Sequence, residues 1–128
     1  MKFEHAAVNS NSVENSDKFF SQLLGMNKVR DFVVKKELIN KFFGIDEDMR
    51  FLRFEKDDFS IEVIIRTDNS RAKDIYTHLC LVINDRENLI QKAKQLGFKT
   101  IKVPRTDKGD FYLFIKDDYG NIYEIKNA

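Results

Sequence analysis

Two stretches sixty residues apart read almost alike: KDDFSIEV from Lys56 to Val63 and KDDYGNIYEI from Lys116 to Ile125. In each, Lys-Asp-Asp-aromatic precedes an apolar run that carries one glutamate, Glu62 or Glu124. The likeness extends upstream. EHAAVNSNSVENSDKFFSQLLGM places His5 in a short apolar stretch, follows it with a polar break, and closes a helical pattern at Gly25; THLCLVINDRENLIQKAKQLGF repeats that order from His78 to Gly97. His5 to Gly25 is twenty residues and His78 to Gly97 nineteen. Self-similarity over such a span marks two copies of one supersecondary unit.

The order within each copy follows from periodicity. Residues 2–8 and 76–83 are short, β-prone apolar runs and predict strands. Residues 12–24 predict a helix, with Val13, Phe19, Phe20, Leu23 and Leu24 as an apolar stripe and Ser12 as N-cap; residues 86–96 predict a second after Asp85, with Leu89, Ile90, Ala93 and Leu96 at steps of three and four. Gly25 and Gly97 stand where a left-handed C-cap requires glycine. VRDFVV, FLRFEKDDFSIEVII, KTIKV and FYLFIKDDYGNIYEI then supply strands, two of these stretches being hairpins that turn at KDD. The expected fold is α+β, two βαβββ modules in one domain over 1–128, the first over about 1–68 and the second over about 74–128. The segment 35–48, KKELINKFFGIDED, is the main asymmetry, since Gly25 to Glu62 is thirty-seven residues and Gly97 to Glu124 only twenty-seven. A short helix or a flap suits it, and Phe42 with Phe43 suggests that it packs on something.

Length and charge narrow the function. With 128 residues, 42% hydrophobic and 34% charged, the chain makes one compact domain. Its 22 Lys and Arg against 21 Asp and Glu leave +1, without the basic excess of a phosphate-binding face, so nucleic acid is not expected as partner. No run approaches the roughly 18 apolar residues that span a bilayer, and MKFEHAAVNS has no apolar leader core, so neither membrane nor export is expected and the cytoplasm is. The lone Cys80 cannot form an internal disulfide and reads as a small buried apolar residue.

Strand parity gives the glutamates a meaning. Side chains alternate across a strand, so Ile61, Val63 and Ile65 oppose Ser60, Glu62 and Ile64; Tyr123 and Ile125 oppose Ile122 and Glu124; Leu79, Leu81 and Ile83 oppose Tyr76, His78, Cys80 and Val82. His5 shares its face with Phe3 and Ala7. One face of each sheet is then an apolar row for a helix, and the reverse face carries His5, Glu62, His78 and Glu124. If the sheets curl, these four converge. Two imidazoles and two carboxylates suit a first-row divalent ion, with coordination positions left open for substrate oxygens.

On these residues the chain resembles the vicinal oxygen chelate superfamily, the group of glyoxalases, bleomycin-resistance proteins and extradiol dioxygenases. The matching motifs are FFSQLLGM, where the family often reads F-Y-x-x-x-L-G-M, THLCLVINDRENL, and FIKDDYGNIYEI, where it often reads x-D-P-x-G-x-x-x-E-I. The resemblance implies mixed sheets that curl into a cup around a metal site whose ligands are His5, Glu62, His78 and Glu124. Glu at position 62 is the pattern of the short bacterial glyoxalase I branch, served by nickel or cobalt, with zinc in a related class, and it implies a homodimer. The activity implied is lactoylglutathione lyase-like isomerisation of a 2-oxoaldehyde thiol adduct through a metal-bound enediolate, with Glu124 as main base and Glu62 as its partner. Other members of the fold are epimerases, antibiotic-modifying thiol transferases and drug-sequestering binding proteins. Asn9 stands where glyoxalase I often has an arginine, Arg66 or Thr67 where it often has asparagine, and Asp117-Asp118-Tyr119-Gly120 replaces D-P-x-G, which leaves the thiol open. Arg53, Phe51, Tyr76 and Phe114 are the candidate substrate-pocket residues, with Tyr112 beside them.

Overall fold

The computed structural model describes residues 1–106 and 109–128. The chain divides into two compact units, Met1–Ser70 and Arg71–Ala128. The first contains β1 (Ala6–Ser10), α1 (Val13–Ser16) running on into a π-helical segment (Asp17–Leu23), β2 (Asn27–Val34), α2 (Lys36–Phe43), β3 (Met49–Lys56) and β4 (Phe59–Ile65). The second contains β5 (His78–Ile83), α3 (Arg86–Gln95), β6 (Lys99–Pro104), β7 (Phe111–Lys116) and β8 (Ile122–Asn127). Each unit builds one open, mixed sheet of four strands, ordered β1-β4-β3-β2 in the first and β5-β8-β7-β6 in the second. The architecture is the α+β, duplicated βαβββ one. No helix among the described residues is long and apolar enough to cross a membrane.

Local chemistry sets the helix ends. Ser12 Oγ accepts the backbone N–H of Asn15 at 3.0 Å and Asp85 Oδ1 that of Asn88 at 3.0 Å, each satisfying one of the donors a helix leaves free at its start. Gly25 (φ 70°) and Gly97 (φ 83°) end the helices in the left-handed region that glycine enters without a Cβ clash. The 12–24 stretch differs from the expected α-helix in widening to a π-helix from Asp17 onward. Its closing bond shows the extra residue: Met26 N–H reaches Phe20 O at 2.9 Å, whereas in the second unit Phe98 N–H reaches Ala93 O at 2.8 Å. Phe19, Phe20 and Leu23 are all buried on this wide turn.

One sheet face in each unit is the helix-covered core. In the first, Leu52 pairs with Val63 and Phe54 with Ile61, all four fully buried, and the Phe20 ring lies 5.2 Å from that of Phe54. In the second, Ile115 pairs with Tyr123 in a core with Leu113, Ile125, Leu89, Ile90 and Ala93. Burying each large apolar side chain contributes about 1.5–3 kcal/mol, and this face holds most of them.

The reverse face differs between the units because of residues 35–48. They form α2, whose Ile39 is fully buried against Met49 and Phe51, with Phe32, Val34, Ile45 and Ile64 around them. Met49, Phe51 and Ile64 lie on the Glu62 side of the sheet by register, so α2 covers one end of that face. The Phe42–Phe43 pair does not do the packing: the two rings touch each other at 5.9 Å and stay 61% and 51% exposed. Of the eight residues of α2, Ile39 is the buried one.

The two KDD stretches make different turns. The first is a two-residue connection, Asp57–Asp58, with Asp57 at φ 52°, a conformation aspartate tolerates better than most residues. The second spans five residues and is organised by Asp117, whose Oδ1 accepts the backbone N–H groups of Tyr119, Gly120 and Asn121 at 3.0, 3.0 and 2.9 Å. Its Oδ2 accepts from Asn121 Nδ2 at 2.9 Å and Tyr123 OH at 3.2 Å. Burial raises the Asp117 carboxyl above its ordinary range in spite of these donors.

Candidate metal centre

In the first unit β1 runs parallel to β4 with Ala7 beside Glu62, and β4 runs antiparallel to β3 with Arg53 beside Glu62. In the second, β5 runs parallel to β8 with Cys80 beside Glu124, and Phe114 of β7 stands on Glu124's other side. In each unit the histidine is two residues before the neighbour of the glutamate. The result is the same pair twice: His5 Nε2 lies 3.9 Å from Glu62 Oε1 and His78 Nε2 3.3 Å from Glu124 Oε2. The glutamate side chains are only 17% and 19% exposed, well below the usual surface carboxylate.

Each ring is turned by a bond to its other nitrogen. His78 Nδ1 lies 2.7 Å from the backbone oxygen of Tyr76, which can only accept, so Nδ1 carries a proton, and Nε2 faces Glu124 Oε2 at 3.3 Å. Phe114 packs edge-on against this ring at 5.6 Å. His5 Nδ1 bonds the Glu4 carboxylate, another pure acceptor, and its Nε2 likewise faces Glu62. Glu4 is held in turn by Arg53, whose Nε donates to Ser60 Oγ at 2.8 Å. The Arg53 guanidinium, and then the His5 ring, hold the Glu4 carboxyl down at about 2.

An imidazole Nε2 facing a carboxylate is satisfied by a proton on that nitrogen or by a cation that both groups bind. Two donors bound to one ion at about 2.1 Å lie about 3.0 Å apart at a right angle and about 4.2 Å apart when opposed. Separations of 3.3 and 3.9 Å fall inside that range. Imidazole Nε2 with the Nδ1 proton given to a carbonyl or carboxylate is also the usual state of a metal-binding histidine. The donor chemistry of each pair thus fits a divalent first-row ion. Within the described residues no group of three or more His, Cys, Asp or Glu side chains is gathered at metal-binding spacing. Each unit, taken by itself, brings one His–Glu pair.

The remaining sequence-derived residues sort as follows. His5 precedes β1 and is not inside the strand expected over 2–8, and His78 opens β5 where 76–83 was expected. Residues 1–5 leave the two-residue alternation, which lets Glu4 and His5, adjacent in sequence, both serve the same face. Arg53 is held by Glu4 and Ser60 with its side chain 15% exposed. Phe51 is buried under α2 and belongs to the packing there. Tyr76 is 76% exposed, contributing its backbone oxygen to His78, and Tyr112 is also exposed. Cys80 is exposed, not buried as expected, because it lies on the His78 side of β5; desolvation of the sulfur and the Glu124 carboxylate beside it push the thiol up. Sequence reasoning passed over Glu4. The hairpin could have exposed its partner, since a two-residue turn at Asp57–Asp58 places Arg53 opposite Glu62 by counting alone.

The rows flanking the two glutamates differ in character. Across the first sheet Glu62, Arg53 and Arg30 stand side by side, and across the second Glu124, Phe114 and Ile101 do. The first row is cationic and the second apolar.

The sequence model of the Glyoxalase/Bleomycin resistance protein/Dioxygenase superfamily matches residues 2–125. No curated protein matches the chain. Among solved structures, a glyoxalase family protein from Bacillus cereus superposes with a TM-score of 0.79 at 12% identity, covering 99% of this chain and 93% of that one. One from Enterococcus faecalis gives 0.71 at 17%, covering 97% and 95%. The fosfomycin resistance protein FosX from Listeria monocytogenes, in a mutant form complexed with Mn(II) and 1S,2S-dihydroxypropylphosphonic acid, gives 0.73 at 12%, covering 98% and 90%. At such identities these structures establish the fold.

Proposed function

From the premise that this chain belongs to the Glyoxalase/Bleomycin resistance protein/Dioxygenase superfamily, the vicinal oxygen chelate group, we propose that it is a metal-dependent isomerase of the glyoxalase I kind, acting on the thiol adduct of a 2-oxoaldehyde. In this reading one divalent ion, nickel, cobalt or zinc, is held by His5, Glu62, His78 and Glu124, each unit supplying one imidazole and one carboxylate. The whole chain acts as one domain, and the working form is a homodimer in the reducing cytoplasm. The observation that carries the reading is that both units, and not one, set a sheltered carboxylate against an imidazole Nε2. A single glutamate suffices to hold an ion and to take a proton once. Two permit one carboxylate to remove a proton from a carbon while the other returns one to its neighbour.

The ion, once held, serves as a Lewis acid that stabilises negative charge on a substrate oxygen. The rest falls to the chain. Glu124 would take the proton from the carbon that bears sulfur and hydroxyl in a hemithioacetal, Glu62 would take the hydroxyl proton and deliver it to the adjacent carbonyl carbon, and Glu124 would return its proton to the former carbonyl oxygen; the product is the 2-hydroxy thioester, both carboxylates are regenerated and no oxidant or reductant is consumed. Phe114, packed edge-on against His78, holds that ring beside Glu124. The test is thioester formation from methylglyoxal and glutathione, with the protein loaded in turn with nickel, cobalt and zinc. Turnover with at least one ion supports the assignment; none with any of the three removes it.

A second reading has an observation of its own. Arg30 beside Arg53 on the Glu62 row would suit an anionic small molecule, and FosX, a fosfomycin resistance protein, shares the fold. Consumption of fosfomycin with manganese, in water or with a thiol, decides it.

A further inference from the structure

Resting on the metal-site reading above, we propose that Glu4 and Arg53 form a positioning relay that fixes the His5 ring, so that Arg53 acts on the metal site through Glu4 and is not a substrate-contacting residue. The two histidines occupy equivalent places in the duplicated unit but are held by unlike means. His78 is fixed by a backbone oxygen within its own unit's loop, at Tyr76, which no substitution removes. His5 has no such carbonyl. Its Nδ1 bonds the side chain of Glu4, a residue outside any strand with its side chain 63% exposed. Such a side chain ordinarily samples many rotamers, and ordering it loses conformational freedom. Arg53 offsets that loss by anchoring Glu4 across forty-nine residues of sequence, while its own Nε is pinned to Ser60 on β4. Guanidinium suits this task because its planar fork can serve Ser60 and Glu4 together, which the single ammonium of lysine cannot do with the same geometry.

The strand pairing shows why this position does the work. Arg53 and Phe114 are the β3 and β7 residues directly beside Glu62 and Glu124. Phe114 packs on its unit's histidine ring directly, and Arg53 reaches its own through Glu4. The position next to each metal-site glutamate is thus the place from which the ring is steered, by contact in one unit and by charge in the other. Removing Arg53 should loosen His5 and leave His78 untouched.

The test uses the full chain with its imidazoles labelled with nitrogen-15, in metal-free form and titrated with cobalt(II). In the unsubstituted protein both rings should show the Nδ1–H tautomer. Glu4→Ala, at an exposed side chain where folding is not at risk, should shift His5 toward a mixture of tautomers with His78 unchanged, and lower cobalt affinity about 10–100-fold, as loss of outer partners commonly does. Arg53→Gln should do the same more weakly, and Arg53→Lys should recover part of the loss. The unchanged His78 signal is the internal control against general damage. If His5 keeps its tautomer and the variants bind cobalt as tightly as the parent, the relay is wrong while the metal-site reading stands. If the parent binds no cobalt, the metal-site reading fails and the His5 tautomer still decides the relay.

Discussion

Replacing Asp117 measures how much one buried carboxylate contributes to the second unit. Its Oδ1 collects three backbone N–H groups, and its Oδ2 an amide and a phenol. Gly120 N–H also reaches the Asp117 carbonyl at 3.1 Å, so one of the three donors keeps a partner without the side chain. In Asp117→Ala the bonds to this carboxylate from the other two backbone donors, the Asn121 amide and the Tyr123 hydroxyl are lost. At about 1 kcal/mol for each lost bond, and with the relief of an unfavourably buried carboxylate subtracted, the cost should be about 3 kcal/mol, roughly 10 °C in Tm for a chain of this length. Asp117→Asn retains an oxygen for the backbone donors and should cost about 1 kcal/mol. The pH dependence separates charge from hydrogen bonding. Because burial raises the folded-state pKa of Asp117 above its unfolded value, the group's contribution to stability is fully present below the ordinary carboxylate pKa and is lost as pH rises through the folded value. The stability gap between the parent and Asp117→Asn should therefore narrow as pH rises through that window. Urea unfolding at a series of pH values measures both quantities. A loss under about 1 kcal/mol for the alanine variant, or a gap that widens with pH, would refute this account of the turn.

Three other perturbations have defined outcomes. Ile39→Ala should cost about 2–4 kcal/mol, since Ile39 is the one buried residue of α2; amide exchange over Lys36–Phe43 should accelerate more than exchange in β3. Gly97→Ala should lose about 1 kcal/mol through backbone strain at φ 83°, for no atom lies within 4 Å of the added Cβ, and thermal unfolding will show whether packing contributes as well. Glu124→Gln should abolish turnover of the methylglyoxal–glutathione adduct while metal content, read by elemental analysis, persists; full activity in that variant would transfer the main base to another residue.

Much of the fold was legible because its signals are local. Ser12, Asp85, Gly25 and Gly97 act on the four or five residues beside them, and all four cap as their sequence context indicates. The repeat delivered the duplicated strand order, since identical local patterns fold alike. What escaped depends on partners distant in sequence. β1 begins at Ala6 because its parallel register to β4 begins at the Ala6–Ile61 pair, information absent from residues 2–8. The widening of the first helix is hidden because, within a single turn, Phe19, Phe20 and Leu23 lie inward on a π turn as they would on an α turn. In KELINKFF the aromatic pair looked like the anchor, yet the rotation of α2 is set by the surface of Met49 and Phe51, which selects Ile39. Cys80 was misjudged by composition, although parity had already placed it with His78 on the polar side. For the candidate site, the two His–Glu pairs that the structure brings together were readable from their repeat-equivalent places. The parts that Glu4 and the Tyr76 carbonyl play beside them were not, because a backbone oxygen carries no sequence signal and Glu4, outside any strand, meets Arg53 only through the fold.

Crystals grown with nickel and measured at its absorption edge would locate the ion without reference to any assumed chemistry. The account predicts one strong anomalous peak with His5 Nε2, His78 Nε2 and one carboxylate oxygen from each of Glu62 and Glu124 at about 2.0–2.3 Å. An ion bound elsewhere, or a fully loaded protein with either imidazole turned away from it, would contradict the claim that these two His–Glu pairs share one cation.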